Sequence, residues 1–148
     1  MTAEEVYVDP SALACLYVHQ ARSREMNAWR ARTGGALPVT HHGRTEIVNA
    51  ICRIAFTGHL DKAGLEEALG DFQGDFAAGR LHQADLLWRG ALNRAVELSR
   101  THTPRLGTRS LDVLHVACAL ELKLLRFLTF DDRQQKLAAA TGLKLVKV

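Results

Sequence analysis

"SLDVLHVACALEL", residues 110–122, decides the fold. Leu111, Val113, Leu114, Val116, Ala117, Cys118, Ala119, Leu120 and Leu122 make it apolar on nearly every side. A helix of that kind lies inside a domain, not along its surface. Its first turn nevertheless carries Asp112, a carboxylate at the mouth of a buried helix.

The neighbouring segments supply the frame for that helix. After it, "LLRFLTF" (124–130) reads as a buried strand, "DDRQQKLAAAT" (131–141) as a helix stopped by Gly142, and "LKLVKV" (143–148) as a last strand. Before it, "DLLWRGALNRAVELSR" (85–100) is an amphipathic helix, and "THTPRLGTR" (101–109) reads as a loop marked by Pro104 and Gly107. At the N-terminal end, "EVYVD" (5–9) is a short strand, and Pro10 suits the first position of a helix. "SALACLYVHQ" (11–20) and "SREMNAWRAR" (23–32) carry helical patterns, followed by a strand at "ALPVT" (36–40) and a helix at "GRTEIVNAICRIAF" (43–56). "TGHLDKAGLEEALGDFQGDF" (57–76) predicts a turn and a helix interrupted by its glycines, and "GRLHQA" (79–84) a brief edge strand. Strands alternating with helices imply an α/β domain, with a parallel sheet covered on both faces.

Bulk composition narrows the class. At 148 residues, with no linker and no internal repeat, the chain reads as a single domain over 1–148. Hydrophobic residues make up 47% and charged residues 24%, which is ordinary for a globular protein and excludes a disordered chain. No apolar run reaches the roughly 18 residues of a membrane span. The acidic start "MTAEEVYVD" lacks the order of a signal peptide, so a cytoplasmic location is expected. Cys15, Cys52 and Cys118 are odd in number and without CxxC spacing, so they are expected as buried, reduced thiols. The net charge of +3 permits a polyanionic partner without requiring one.

Ligands bind such sheets beyond the carboxyl ends of the strands. Asp9 ends the first strand, Asp131 ends the strand "RFLTF", and Asp112 begins the helix leading into that strand, so all three belong to one rim. Glu46, near the start of the helix after the second strand, is the fourth candidate. Each alone is explained by helix capping or by a helix dipole worth about 0.3–1 kcal/mol. Together they repel unless a cation is present, and a hard ion such as Mg2+ takes oxygen ligands of this kind.

The blocks "VYVDPSAL", "TEIVNAI", "LDVLHVACAL" and "FLTFDDRQQKLA", in this order and across nearly the whole chain, resemble a PIN domain. The likeness is strongest to VapC-like toxins of bacterial toxin–antitoxin pairs. It implies a three-layer α/β/α sandwich with a mainly parallel central sheet, and a metal-dependent ribonuclease with Asp9, Glu46, Asp112 and Asp131 as catalytic, metal-binding acids. On this reading Asp9 and Asp112 hold one or two Mg2+ or Mn2+ ions directly, and Glu46 and Asp131 complete the shell. Ser11 and Thr129 orient those ligands. The resemblance also implies a VapB-like antitoxin over the acidic rim and a homodimer; helices at 11–32 and 43–57 offer a groove for the antitoxin. Pro10 stands where Thr or Ser is frequent in the family, and the doublet Asp131-Asp132 leaves two choices for the fourth acid. A nuclease of RNA processing outside a toxin pair, and a non-catalytic RNA- or protein-binding module, are the alternatives.

Arg100, Arg105 and Arg109, with His102, give residues 100–109 a basic character without any acid, suited to an RNA backbone near the metal. Arg44 is a further candidate for a phosphate or for pairing with the acids. His41-His42 do not suggest zinc, because adjacent side chains diverge and no cysteine is near. His115 lies one helical turn from Asp112 and reads as a core or rim histidine. Trp29 and Trp88 are expected to pack against the core.

Overall fold

The computed structural model describes residues 1–148. After a 3-10 turn at Ala3–Glu5, the chain forms β1 (Val6–Val8), α1 (Pro10–Leu13), a second 3-10 turn at Ala14–Leu16, α2 (Ser23–Arg32), β2 (Leu37–Thr40) and α3 (His41–Phe56). It continues with α4 (Lys62–Ala77), β3 (Leu81–Ala84), α5 (Trp88–Leu106), α6 (Ser110–Glu121), β4 (Arg126–Leu128), α7 (Asp132–Ala140) and β5 (Lys144–Leu145).

All ladders are parallel. β1 pairs with β4 through Val6–Arg126, Tyr7–Phe127 and Val8–Leu128, and β4 pairs with β5. β2 pairs with β3 from Leu37–Leu81 to Thr40–Ala84. β1 and β2 lie side by side, yet no ladder bonds join them, so the sheet has the two parts β1-β4-β5 and β2-β3.

Alternation along the strands separates two cores. Val6, Val8 and Leu128 face one side, with Met26 and Trp29 of α2, Ile47 and Ile51 of α3 and Phe72 of α4. Tyr7 and Phe127 face the other, with Ala91 of α5, Val113 and Val116 of α6 and Leu137 of α7. The expected three-layer α/β/α architecture follows, and α6 is the buried helix that its apolar sequence predicts. Trp29 is buried and Trp88 half-buried.

Four local expectations need correction. Residues 11–32 are not a continuous helix: α1 ends at Leu13, and α2 begins only at Ser23, so no single groove-forming helix runs there. The segment 100–109 is not a loop, because α5 continues through Leu106 with Pro104 in its last turns. A proline near an exposed helix end removes a single ladder bond, and Gly107, at φ 67°, provides the left-handed cap that ends the helix. The glycines of α4 do not interrupt it: packing of Ala68 and Phe72 outweighs a helix cost of about 1 kcal/mol for each glycine. Cys15 and Cys118 are buried thiols, but Cys52 is exposed on α3.

Candidate active site

At the carboxyl ends of β1, β2 and β4 lies an open cleft of about 470 Å3 lined by Asp9, Ser11, Glu46, Arg109, Asp112, His115 and Asp131, among others. Four acids from four separate segments therefore share one cavity.

Asp9 follows β1 and caps α1, its Oδ2 accepting from the Ser11 amide at 3.1 Å. The Ser11 hydroxyl donates to the same oxygen. The other oxygen, Oδ1, accepts from Gln134 Nε2 at 3.0 Å. Capping and site membership are thus held by one side chain, and Asp9 is buried by it.

Asp112 occupies the first turn of α6, where its Oδ2 lies 3.3 Å from Arg109 Nε. Burial pushes its carboxyl above its ordinary value, and the nearby charges of Asp9 and Asp131 add to this, while Arg109 opposes it. Asp131 caps α7, its Oδ1 accepting from the Gln134 amide at 2.8 Å. Its own amide donates to Thr129 Oγ1 at 3.1 Å, and the Thr129 carbonyl accepts from Gln135 Nε2 at 2.8 Å. Asp132 is exposed, pairs with Lys136 at 3.1 Å and does not line the main cleft. Of the doublet, Asp131 is the member facing the other acids.

Glu46 stands in the second turn of α3 and faces two histidines, one hydrogen-bonded to it and one only in charge contact. His115 Nε2 lies 2.7 Å from its Oε2, and His42 Nε2 lies 3.2 Å from its Oε1. Burial pushes the Glu46 carboxyl up, but these two histidines outweigh that effect and hold it below its ordinary value. His115 is itself fixed from behind, its Nδ1 lying 2.6 Å from the Tyr7 hydroxyl. With Tyr7 as donor, the imidazole carries its proton on Nε2 and donates it to Glu46. Burial raises the Tyr7 hydroxyl well above its usual pKa, so it remains a donor.

The basic candidates divide. Arg109 lines the cleft. Arg44 does not: its guanidinium bonds Gln73 Oε1 at 2.9 Å and lies over Phe76, facing α4 rather than the acids. Arg100 and Arg105 sit on exposed positions of α5 outside the cleft lining, and Arg105 approaches His102 at 3.4 Å. They form no basic loop.

Three residues escaped the sequence reading. Gln134 is fully buried, and its Nε2 bridges Asp9 Oδ1 and the Asp112 carbonyl at 3.2 Å, tying β1, α6 and α7 together. Tyr7 reads only as a strand residue, and nothing in the sequence pairs it with His115. His42 reads like its neighbour His41 in the sequence, and the two diverge: His41 reaches Asp85, while His42 turns to Glu46.

The donors of Asp9, Asp112 and Asp131 are all oxygen, and these three charges raise one another's cost. Such a set fits a hard divalent ion, which replaces mutual repulsion by attraction.

No protein-family model matches the chain, and no curated protein matches it in sequence. Among solved structures it is similar to VapC20 of Mycobacterium tuberculosis, a sarcin-ricin loop cleaving toxin, with a TM-score of 0.69 and 15% identity. The match covers 96% of this chain and 99% of that one. Across nearly its whole length, then, the chain has the PIN-domain fold of that toxin.

Proposed function

We propose that this protein is a metal-dependent endoribonuclease and the toxin of a toxin–antitoxin pair. The observation that carries the reading is the convergence of Asp9, Glu46, Asp112 and Asp131 on one cleft. The likeness in fold to an RNA-cleaving toxin supports it.

Asp9 and Asp112 would hold a Mg2+ or Mn2+ ion directly, with Asp131 and Glu46 completing its shell or holding its waters. Such an ion, when bound, would supply a water of lowered pKa and positive charge for the leaving oxygen of a phosphodiester. Ser11 and Gln134 fix the two oxygens of Asp9, and Thr129 fixes the backbone that presents Asp131. His115, braced by Tyr7, holds Glu46. Arg109, at the rim and highly exposed, contacts a phosphate of the RNA backbone. Its charge would position the strand without reading sequence.

No helix is long and apolar enough to cross a membrane, and a cytoplasmic location goes with this reading. So do a homodimer and an antitoxin segment that covers the acidic rim with a basic side chain.

The test is induced expression with mapping of RNA ends, wild type against Asp9→Asn, followed by purified protein with and without Mg2+. Asn caps a helix as well as Asp does, so the variant removes charge and leaves α1 intact. New metal-dependent ends in the wild type alone are expected. Equal ends from both proteins, or none from either, would overturn the reading.

A further inference from the structure

Beside the all-oxygen set, at the edge of the cleft, stands a second group of donors of different chemistry. His42 and Glu46 stand four residues apart on α3 and so share a face. His115 reaches them from α6. Their ligand atoms all lie within 4.8 Å of one another. His115 is 1% exposed and His42 29% exposed. His42 Nε2 is buried and, although 3.2 Å from Glu46 Oε1, makes no hydrogen bond. A buried nitrogen with its lone pair or proton unanswered carries an uncompensated desolvation cost. The His42 ring lies beside Trp88, edge-on with centroids 6.3 Å apart.

We infer that His42, Glu46 and His115 form a binding site for a borderline divalent transition ion of the zinc type. It adjoins the all-oxygen set and shares Glu46 with it. Imidazole nitrogens suit Zn2+ and its neighbours in the transition series, whereas Mg2+ takes oxygen. Two histidines and a glutamate also leave a fourth position open for water or a phosphate oxygen. Metal bonds of about 2.0–2.2 Å place donors roughly 3–4 Å apart. The two histidine–carboxylate separations, 2.7 and 3.2 Å, are already near that spacing. The outer support is present as well: Tyr7 lies behind His115 Nδ1 at 2.6 Å. A metal-bound imidazole commonly needs such a partner to fix its ring and tautomer. With an ion on Nε2, His115 would carry its proton on Nδ1 facing the Tyr7 oxygen, and the Tyr7 hydroxyl would turn its own proton away from the ring. The orphaned nitrogen of His42 gains a partner in the same step.

This site stands apart from the nuclease reading, since an ion can bind there whether or not RNA is cut. The experiment titrates metal-free protein with Co2+ in saturating Mg2+, following visible absorption, then adds Zn2+. Circular dichroism monitors the fold of every variant. The wild type and Asp112→Asn should show a saturable band that Zn2+ abolishes. His42→Gln, at a partly exposed position, should weaken Co2+ binding tenfold or more, and His115→Gln should do the same. The inference is overturned if the wild type shows no saturable band, or if His42→Gln binds Co2+ as tightly as the wild type. It is equally overturned if Asp112→Asn, and not His42→Gln, abolishes the band. Loss of RNA cleavage in Asp112→Asn with the band intact bears on the nuclease reading alone.

Discussion

Replacing Gln134 by Leu tests whether the acidic cleft is held in shape from beneath. The side chain is fully buried and makes two bonds through one nitrogen, to Asp9 Oδ1 and to the Asp112 carbonyl. A bond to an ionised carboxylate is worth about 1.5–3 kcal/mol and a neutral one about 1 kcal/mol. Against this, Gln134 Oε1 is buried without a partner in the wild type, and such an orphan costs about 1–3 kcal/mol that Leu removes. The difference leaves a net destabilisation of about 1–2 kcal/mol. Urea denaturation should therefore show a lower midpoint with an unchanged slope. Mg2+ affinity, read from the midpoint shift on adding the ion, should fall by more than stability alone accounts for, because Asp9 and the α6 terminus lose their common tether. A Leu variant within 0.5 kcal/mol of the wild type and with unchanged Mg2+ affinity would refute the tether.

Two further outcomes follow from the charges. The Asp112 carboxyl is raised by burial and by Asp9 and Asp131, so its proton is held more tightly folded than unfolded. Its contribution to stability is present in acid and is lost as pH rises through the folded value. Metal-free Asp112→Asn should accordingly melt above wild type at neutral pH, and the gap should close in acid; calorimetry across pH checks this. Arg109 is 79% exposed and its pair with Asp112 is loose, so Arg109→Ala should change stability by under about 0.5 kcal/mol. It should weaken RNA binding at every sequence alike and reduce the salt slope by about one ion, measured by filter binding over a salt series.

Much of this geometry was legible because it follows from order along the chain. Asp9, Asp112 and Asp131 fall at strand or helix ends, and a parallel sheet places such ends on one rim. Glu46 was legible by resemblance and position, but not the histidines that hold it: His115 lies 69 residues away, and one turn from Asp112 it reads as ordinary core. Gln134 was invisible, since glutamine in a polar helix start carries no pattern until the helix is packed. Pro104 misled in the opposite sense. It signals a break, but Gly107, three residues on, marks where α5 really ends. Cys52 sits among apolar letters yet on the outer face of α3, a distinction that composition does not make.

The missing ladder between β1 and β2 gives the cleft a mechanical meaning. Asp9, Asp112, Asp131 and His115 belong to the bank built on β1 and β4, while His42 and Glu46 belong to the bank built on β2 and β3. Backbone bonding between the halves is confined to the leading ends, where Ala3 N donates to Gly34 O at 2.9 Å, so at the cleft the bond between Glu46 and His115 acts as a rivet, aided by the apolar layer of Val8, Val39 and Ile47 beneath. An ion shared between the banks would be a second rivet. Amide exchange at the facing edges of β1 and β2 is then a gauge of how firmly the two halves are joined.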